Sequence, residues 1–212
     1  MLILIPAIIF SYLLGSIPVG YILSRALKGI DIRRYGSKNF GATNVFRVVG
    51  PAAGLVVLVL DILKGIIPVF VFADAVLNNL PELDHILLRI ILGCLAVCGH
   101  NWTIFFKFKG GKGVATTIGA LLGLSFKIPQ LGLITGLCLI IWALIVLITG
   151  LVSLGSILAS ISLPILMVIF DQPFKLIIFG AVLCLFVIFR HKSNIRRLLR
   201  GEEKKIFNLR RH

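Results

Sequence analysis

A segment rich in glycine, hydroxyl and amide residues runs from Gly36 to Arg47 and reads Gly-Ser-Lys-Asn-Phe-Gly-Ala-Thr-Asn-Val-Phe-Arg. Its candidate hydrogen-bond donors are the small polar residues Ser37, Asn39, Thr43 and Asn44. Gly36 and Gly41 allow backbone conformations that turn N–H groups toward an anion. Arg47 adds a guanidinium that can hold a phosphate with two parallel hydrogen bonds. The segment therefore predicts a phosphate site, and the alternative is a solvated basic loop.

A second segment, Gly99–Val114, contains the run Lys-Gly-Gly-Lys-Gly at residues 109–113, which we call the glycine–lysine arch. The arch leads into an apolar helix, whose N-terminal N–H groups and positive dipole end favour bound phosphate. The candidate phosphate-binding residues here are Lys109, Gly110, Gly111, Lys112 and Gly113. A nucleotide-hydrolysing P-loop is excluded, because Phe106 replaces its first glycine and Gly113 replaces its magnesium-binding hydroxyl. The alternative is a glycine-rich turn between two helices.

The third polar segment, His191–Glu203, follows the last apolar stretch. If it is helical, His191 and Asn194 lie on one face. His191 stands where the chain leaves the bilayer and can serve as a base or a hydrogen-bond donor near neutral pH. For most of the arginines and lysines here, we favour a basic amphipathic tail that lies on anionic lipid.

Two ionisable residues, Asp61 and Lys64, stand three residues apart on one helical face inside an apolar stretch. Ionisable groups at membrane depth are costly unless they are paired, so they are candidates for function. A structural ion pair that ties helices together is an equally good interpretation.

The elements that must position these segments are membrane helices. The 212 residues are 58% hydrophobic and 14% charged, whereas a soluble chain has roughly 25% charged residues. A bilayer crossing needs about 20 residues, and no separate soluble domain fits beside seven of them. We predict an all-α, single-domain (1–212) integral membrane protein with seven transmembrane helices, at residues 2–24, 51–73, 85–105, 114–126, 130–149, 151–170 and 174–189. Gly150 is expected to end the fifth helix.

The charges predict the orientation. The chain has 22 Lys and Arg residues against 8 Asp and Glu, a net charge of +14. Eighteen of the 22 fall in residues 25–47, 107–112 and 190–211, and the positive-inside rule places such segments in the cytoplasm. The N-terminus is therefore expected outside, with the C-terminus and all three polar segments cytoplasmic. Membrane lipid is an expected partner, and no nucleic acid is expected.

These three segments, in this order, resemble the bacterial acyl-phosphate:glycerol-3-phosphate acyltransferases of the PlsY type. The matching patterns are GSxNxGATNVxR at Gly36–Arg47, GHxxxxFxxFKGGKGVAT at Gly99–Thr116 and HxxNIxRLxxGxE at His191–Glu203. Further matches are YLLGSI at residues 12–17, DxxKG at residues 61–65 and VSLxSI at residues 152–157. The resemblance covers nearly the whole chain.

The resemblance implies a seven-helix enzyme of the bacterial plasma (inner) membrane with its active site facing the cytoplasm. It would transfer a fatty acyl group from acyl phosphate to the 1-hydroxyl of sn-glycerol 3-phosphate, giving lysophosphatidic acid and phosphate in the first step of phospholipid biosynthesis. Functional contact with the enzyme that makes acyl phosphate would follow. The family uses acyl phosphate instead of acyl-CoA and lacks the HxxxxD motif, and no His of this chain is followed by Asp five residues later.

The resemblance also implies which residues act. The family's active-site residues fall on Ser37, Arg47, Lys112, His191 and Asn194. Ser153, Arg197 and Glu203 join the substrate-binding set. The general base stays open between His191 and the phosphate of the substrate. The chain departs from the family pattern at Lys38, where Gly is common, and at Thr103, where Pro is frequent.

No metal or cofactor is expected, because the cytoplasmic carboxylates Asp31, Glu202 and Glu203 are scattered. A transporter of an organic phosphate is the main rival from another class. It should show internal repeats around a midplane site, and the sequence contains none that we detect. A lipid-binding scaffold is the third hypothesis, but the Gly36–Arg47 segment and the glycine–lysine arch are more elaborate than it needs.

Overall fold

A computed structural model describes residues 2–206 of the chain, and in these residues it contains helices and no strand. The all-α prediction is therefore confirmed. Contacts between residues divide the chain into two compact units, Met1–Pro129 and Gln130–His212. The basic residues Arg210 and Arg211, which contribute to the predicted cytoplasmic tail, lie outside the described residues.

The first unit contains seven α-helices: α1 (Leu4–Ser16), α2 (Val19–Lys28), α3 (Ala42–Val48), α4 (Pro51–Ile67), α5 (Ala73–Leu77), α6 (His85–Asn101) and α7 (Val114–Ser125). A π-helical turn, Pro68–Phe72, joins α4 to α5, and single 3₁₀ turns form at Ile32–Arg34 and Ile104–Phe106. The predicted first span is broken: α1 and α2 meet at 41° around Pro18. Proline lacks an N–H group and restricts the residue before it, so the helix ends there.

Small residues bring the helices of this unit close together. A Cβ atom at Gly15 of α1 would lie 2.8 Å from the backbone of Ala96 in α6, and one at Gly65 of α4 would lie 2.8 Å from the backbone N of Ala120 in α7. A Cβ atom does not fit at such short distances. Glycine therefore allows the two helix backbones to approach each other closely, as is common between membrane helices. Glycine thereby brings α1 close to α6 and α4 close to α7.

The second unit contains α8 (Pro129–Thr149, from its second residue), α9 (Val152–Ile169), α10 (Phe174–Arg190) and α11 (Lys192–Leu199). Gly150 has φ +72° and its N–H donates to Val146 O at 2.8 Å, which ends α8. The predicted break between the fifth and sixth helices is confirmed. The helices α10 and α11 meet at 62° around His191.

Within residues 2–206, four helical runs are long and apolar enough to cross a membrane, or up to six if each bent pair counts as one crossing. The helix at Val114–Ser125 is apolar but shorter. Each predicted span overlaps one or more of these helices, which supports the predicted integral membrane architecture. Seven crossings and the orientation of the termini stay predictions.

Candidate active site

Asn44 organises the first polar segment. Its buried side chain accepts from Ser37 N at 2.8 Å and donates to Asn39 O at 2.7 Å and to Tyr35 O at 3.1 Å. Gly41 N donates to the Asn39 Oδ1 atom at 2.7 Å just before α3 begins. The amides of Asn39 and Asn44 therefore fold the loop, a positioning role that the sequence did not predict for them.

Two residues of this loop adopt the left-handed conformation. Gly36 has φ +59°, and a Cβ there would lie 3.0 Å from Val48 Cγ2, so glycine is required on both grounds. Lys38 also has φ +59°, which accounts for the glycine that is common at this position in the family. The turn exposes Ser37, whereas Thr43 and Arg47 lie half-buried on α3.

The glycine–lysine arch folds back over the end of α6. Gly110 N donates to Asn101 O at 3.1 Å and Gly111 N donates to His100 O at 2.9 Å. Gly113 takes φ +76° and α7 begins at Val114, so the predicted helix start is confirmed. Two N–H groups that were candidates for phosphate thus bind α6 carbonyls. Lys112 is half-buried, and Lys109 is exposed.

Phe40 joins the first two polar segments. Its buried ring meets the His100 ring edge-on, with 5.7 Å between the ring centroids, and lies 6.0 Å from the Phe106 ring. Arg33 also lies over Phe106, 4.0 Å from its centroid, and hydrogen bonds to Asp31. The hydrogen bonds and charge of Arg33 outweigh the opposing effect of burial and lower the pKa of Asp31 to about 2.

Beneath the arch, Asp61 and Lys64 form an ion pair, which was one of the two interpretations of their spacing. Lys64 Nζ stands 2.8 Å from Asp61 Oδ1, and both side chains are buried. Lys64 also donates to Ile17 O at 3.0 Å, and His100 Nδ1 lies 3.7 Å from the same Asp61 oxygen. His100 is not among the site residues that the sequence predicts, although it stands beside Gly99 in the motif that carries the resemblance. Thr103 donates to Ser16 O at 2.7 Å, a contact that fixes the chain after α6.

In the second unit, His191 is buried at the junction of α10 and α11, and its Nδ1 atom lies 2.8 Å from Val187 O. A carbonyl oxygen only accepts hydrogen bonds, so Nδ1 carries the hydrogen of the neutral ring. The Nε2 atom is then the one with the basic lone pair.

Glu203 gathers the other predicted residues of this unit. One oxygen of its carboxylate accepts from Ser153 Oγ at 2.8 Å and from Asn194 Nδ2 at 2.6 Å, and the other accepts from Arg197 Nε at 2.6 Å. Burial raises the pKa of Glu203, but the hydrogen bonds from Arg197, Asn194 and Ser153 outweigh it, so that the pKa is lowered. Glu203 thereby positions three side chains. Direct contact of Glu203 with substrate stays a prediction.

Comparison with known proteins agrees with these motifs. The family model described as glycerol-3-phosphate acyltransferase matches residues 5–201. The chain is 43% identical over 199 residues to a glycerol-3-phosphate acyltransferase of Desulforamulus reducens, covering 94% of this chain and 93% of the relative. A relative of the same name from Fusobacterium nucleatum is 42% identical over 200 residues, covering 93% of this chain and 95% of the relative.

Solved structures give the same result. The chain resembles the crystal structure of PlsY (YgiH), an integral membrane glycerol 3-phosphate acyltransferase, in its glycerol 3-phosphate form. The TM-score is 0.82 at 37% identity, covering 95% of this chain and 94% of that one. The lysophosphatidic acid form of PlsY gives a TM-score of 0.80 at the same identity and coverage.

Proposed function

This chain belongs to the glycerol-3-phosphate acyltransferase family, and we propose that it takes its acyl group from acyl phosphate. The acceptor is the 1-hydroxyl of sn-glycerol 3-phosphate, and the products are lysophosphatidic acid and inorganic phosphate. The observation that carries the proposal is the joining of two phosphate-suited segments in one unit, through the contact of Phe40 with His100.

Both proposed substrates carry phosphate, and the site residues suit that charge. Arg47 on α3 and Lys112 before α7 supply cations, and a charge-assisted hydrogen bond contributes roughly 1.5–3 kcal/mol. The N-terminus of α7 adds the positive end of a helix dipole. Gly110 and Gly111 hold the arch on α6, so we assign phosphate binding mainly to the lysines and the first turn of α7.

The proposed reaction needs no strong acid, because phosphate is a good leaving group from a mixed anhydride. The acceptor hydroxyl oxygen bonds to the acyl carbon, and the bond from that carbon to the bridging oxygen breaks, with its electron pair leaving on phosphate. The hydroxyl proton goes to a base, for which the family resemblance offers His191 and the phosphate of the substrate as alternatives. Holding hydroxyl and carbonyl together supplies much of the rate, and Lys112 stabilises the charge that develops.

The remaining proposals concern the membrane. We propose one domain with seven crossings in the plasma (inner) membrane, an external N-terminus and an active site that faces the cytoplasm. The basic segments, which include Arg25–Arg47 and Lys107–Lys112, support this orientation. On that side the enzyme would meet its soluble acceptor and the enzyme that supplies acyl phosphate.

The test uses purified protein in nanodiscs with labelled glycerol 3-phosphate, EDTA, and either palmitoyl phosphate or palmitoyl-CoA. We expect lysophosphatidic acid from palmitoyl phosphate alone, at a rate that EDTA does not change. Turnover with the thioester alone would refute the proposed donor. If neither donor reacts while sealed proteoliposomes accumulate glycerol 3-phosphate, the chain is a transporter instead.

A further inference from the structure

Three buried residues beneath the glycine–lysine arch have no role in the reaction described above. We propose that Asp61, Lys64 and His100 form a support that sets the position of the arch and hence the affinity of the enzyme for glycerol 3-phosphate. They act as positioning residues, because all three are buried beneath it. The inference rests on the proposed function only in taking a phosphate-bearing ligand for the arch.

The base of this support is the ion pair between Asp61 and Lys64. Their charged atoms lie 2.8 Å apart, and the side chains are 3% and 4% exposed. Lys64 also donates to Ile17 O at 3.0 Å, at the break between α1 and α2. The pair therefore fixes α4 to that break. Removing one partner would leave an unpaired buried charge, whereas replacing both by neutral groups is often tolerated.

His100 connects the ion pair to the arch. Its Nδ1 edge faces Asp61 Oδ1 at 3.7 Å, and its backbone oxygen accepts from Gly111 N at 2.9 Å. Its Nε2 edge faces Gly111, where a Cβ atom would lie 2.8 Å from His100 Cδ2 and 2.9 Å from Cε1. The imidazole thus fills the space between the carboxylate of α4 and the backbone of the arch.

The ring also touches the first polar segment, because Phe40 packs against it edge-on with 5.7 Å between the centroids. Motion of His100 would therefore shift both segments that are proposed to bind phosphate. Lys112 follows Gly111 directly, so a shift of the arch moves its ammonium group away from a bound anion. Binding of phosphate should suffer before folding does.

The first unit offers a matched control pair. Asp74 and Arg89 form another ion pair between the run α4–α5 and α6, and Arg89 is buried and also donates to Val69 O at 2.6 Å. Lys127 also pairs with Asp74, at 3.0 Å. None of these contacts involves a residue of the arch. Neutralising this second pair reports what an ion pair between these helices contributes to folding alone.

The test compares the double variant Asp61→Asn/Lys64→Met with the control Asp74→Asn/Arg89→Met in nanodiscs, using isothermal titration with glycerol 3-phosphate and, separately, inorganic phosphate. We expect the first variant to raise Kd for both probes, and KM for glycerol 3-phosphate, by about tenfold, while kcat changes by less than about threefold. The control should keep Kd within about twofold of wild type, and its Tm should lie within about 5 °C of that of the first variant.

A second comparison uses the histidine itself. His100→Ala should raise Kd at least about tenfold, and His100→Gln, whose amide reaches toward the Nε2 position, should restore most of the affinity. Unchanged Kd in the Asp61/Lys64 variant, equal loss in the control, or no binding of either probe by wild type would overturn the inference. If wild type binds glycerol 3-phosphate but does not acylate it, only the proposed donor chemistry fails, and the Kd comparison still decides.

Discussion

Replacing Gly111 by alanine tests the contact between the arch and His100. Gly111 lies outside the left-handed region, so alanine is compatible with its backbone and the added methyl group is the whole perturbation. That methyl would lie 2.8 Å from His100 Cδ2 and 2.9 Å from Cε1 and would be nearest to Nε2, whereas ordinary contact needs 3.4–4 Å. The arch or the ring must therefore move by on the order of 1 Å.

A displacement of this size should weaken phosphate binding strongly. Loss of one charge-assisted hydrogen bond, at roughly 1.5–3 kcal/mol, corresponds to an increase in KM for glycerol 3-phosphate of about 10- to 100-fold. Steady-state kinetics with varied acceptor at saturating palmitoyl phosphate measure it. We expect KM to change more than kcat, because the contact lies beneath the segment that binds phosphate and not at the reacting carbonyl.

The control is Gly136→Ala in α8, where a Cβ atom meets nothing within 4 Å. It should leave kinetics unchanged and stabilise the helix by up to about 1 kcal/mol. In the double variant His100→Ala/Gly111→Ala the ring is absent, so the two effects should not add. Kinetics of Gly111→Ala equal to those of Gly136→Ala would refute the reasoning.

Three further predictions follow from the site. Lys112→Met and Arg47→Ala should each lower the rate of lysophosphatidic acid formation at least about tenfold. The amount of each variant in the membrane should equal that of wild type. Near-normal rates would place the phosphate site elsewhere. Asn44→Ala removes the acceptor for Ser37 N and the donor to Asn39 O. It should therefore lower Tm by several degrees and increase cleavage of the loop by protease. An unaltered cleavage pattern would contradict this role of Asn44. The pKa of Glu203 is lowered in the folded protein. Its charged form therefore stabilises the fold at pH values above the ordinary pKa of glutamate. This stability is lost as the pH falls through the lowered pKa of the folded state. The difference in Tm between wild type and Glu203→Gln should therefore shrink as pH is lowered from neutral toward about 4, and a difference independent of pH would argue against the hydrogen bonds to this carboxylate.

Much of the fold is predictable from local patterns. Apolar runs give the positions of the long helices, and Gly150, with φ +72°, ends α8 where the sequence places a break. Proline gives a similar signal at Pro18, yet the span that contains it was predicted as continuous. The π-helical turn at Pro68–Phe72 has no signal in the apolar pattern, and its Val69 carbonyl accepts from Arg89 of α6, a contact that depends on packing.

In the candidate site, too, the sequence predicts the local segments but not the contacts that depend on packing. Residue types and spacing identify the phosphate-suited segments, since glycines, amides and cations are there for chemical reasons. They do not reveal which polar group binds which partner. Asn44 folds its own loop, and Gly111 donates to α6. The sequence does not predict a positioning role for His100, because this role depends on its contact with Asp61. Asp61 is 39 positions away and is brought near only by the packing of α4 and α6.

The most direct test of the account is the balance of products in one reaction of purified protein with palmitoyl phosphate and glycerol 3-phosphate. We predict one inorganic phosphate for each lysophosphatidic acid, with the acyl group on position 1 and no phosphate release when the acceptor is omitted. Phosphate release without the acceptor, or lysophosphatidic acid formed without equivalent phosphate, would contradict transfer from acyl phosphate.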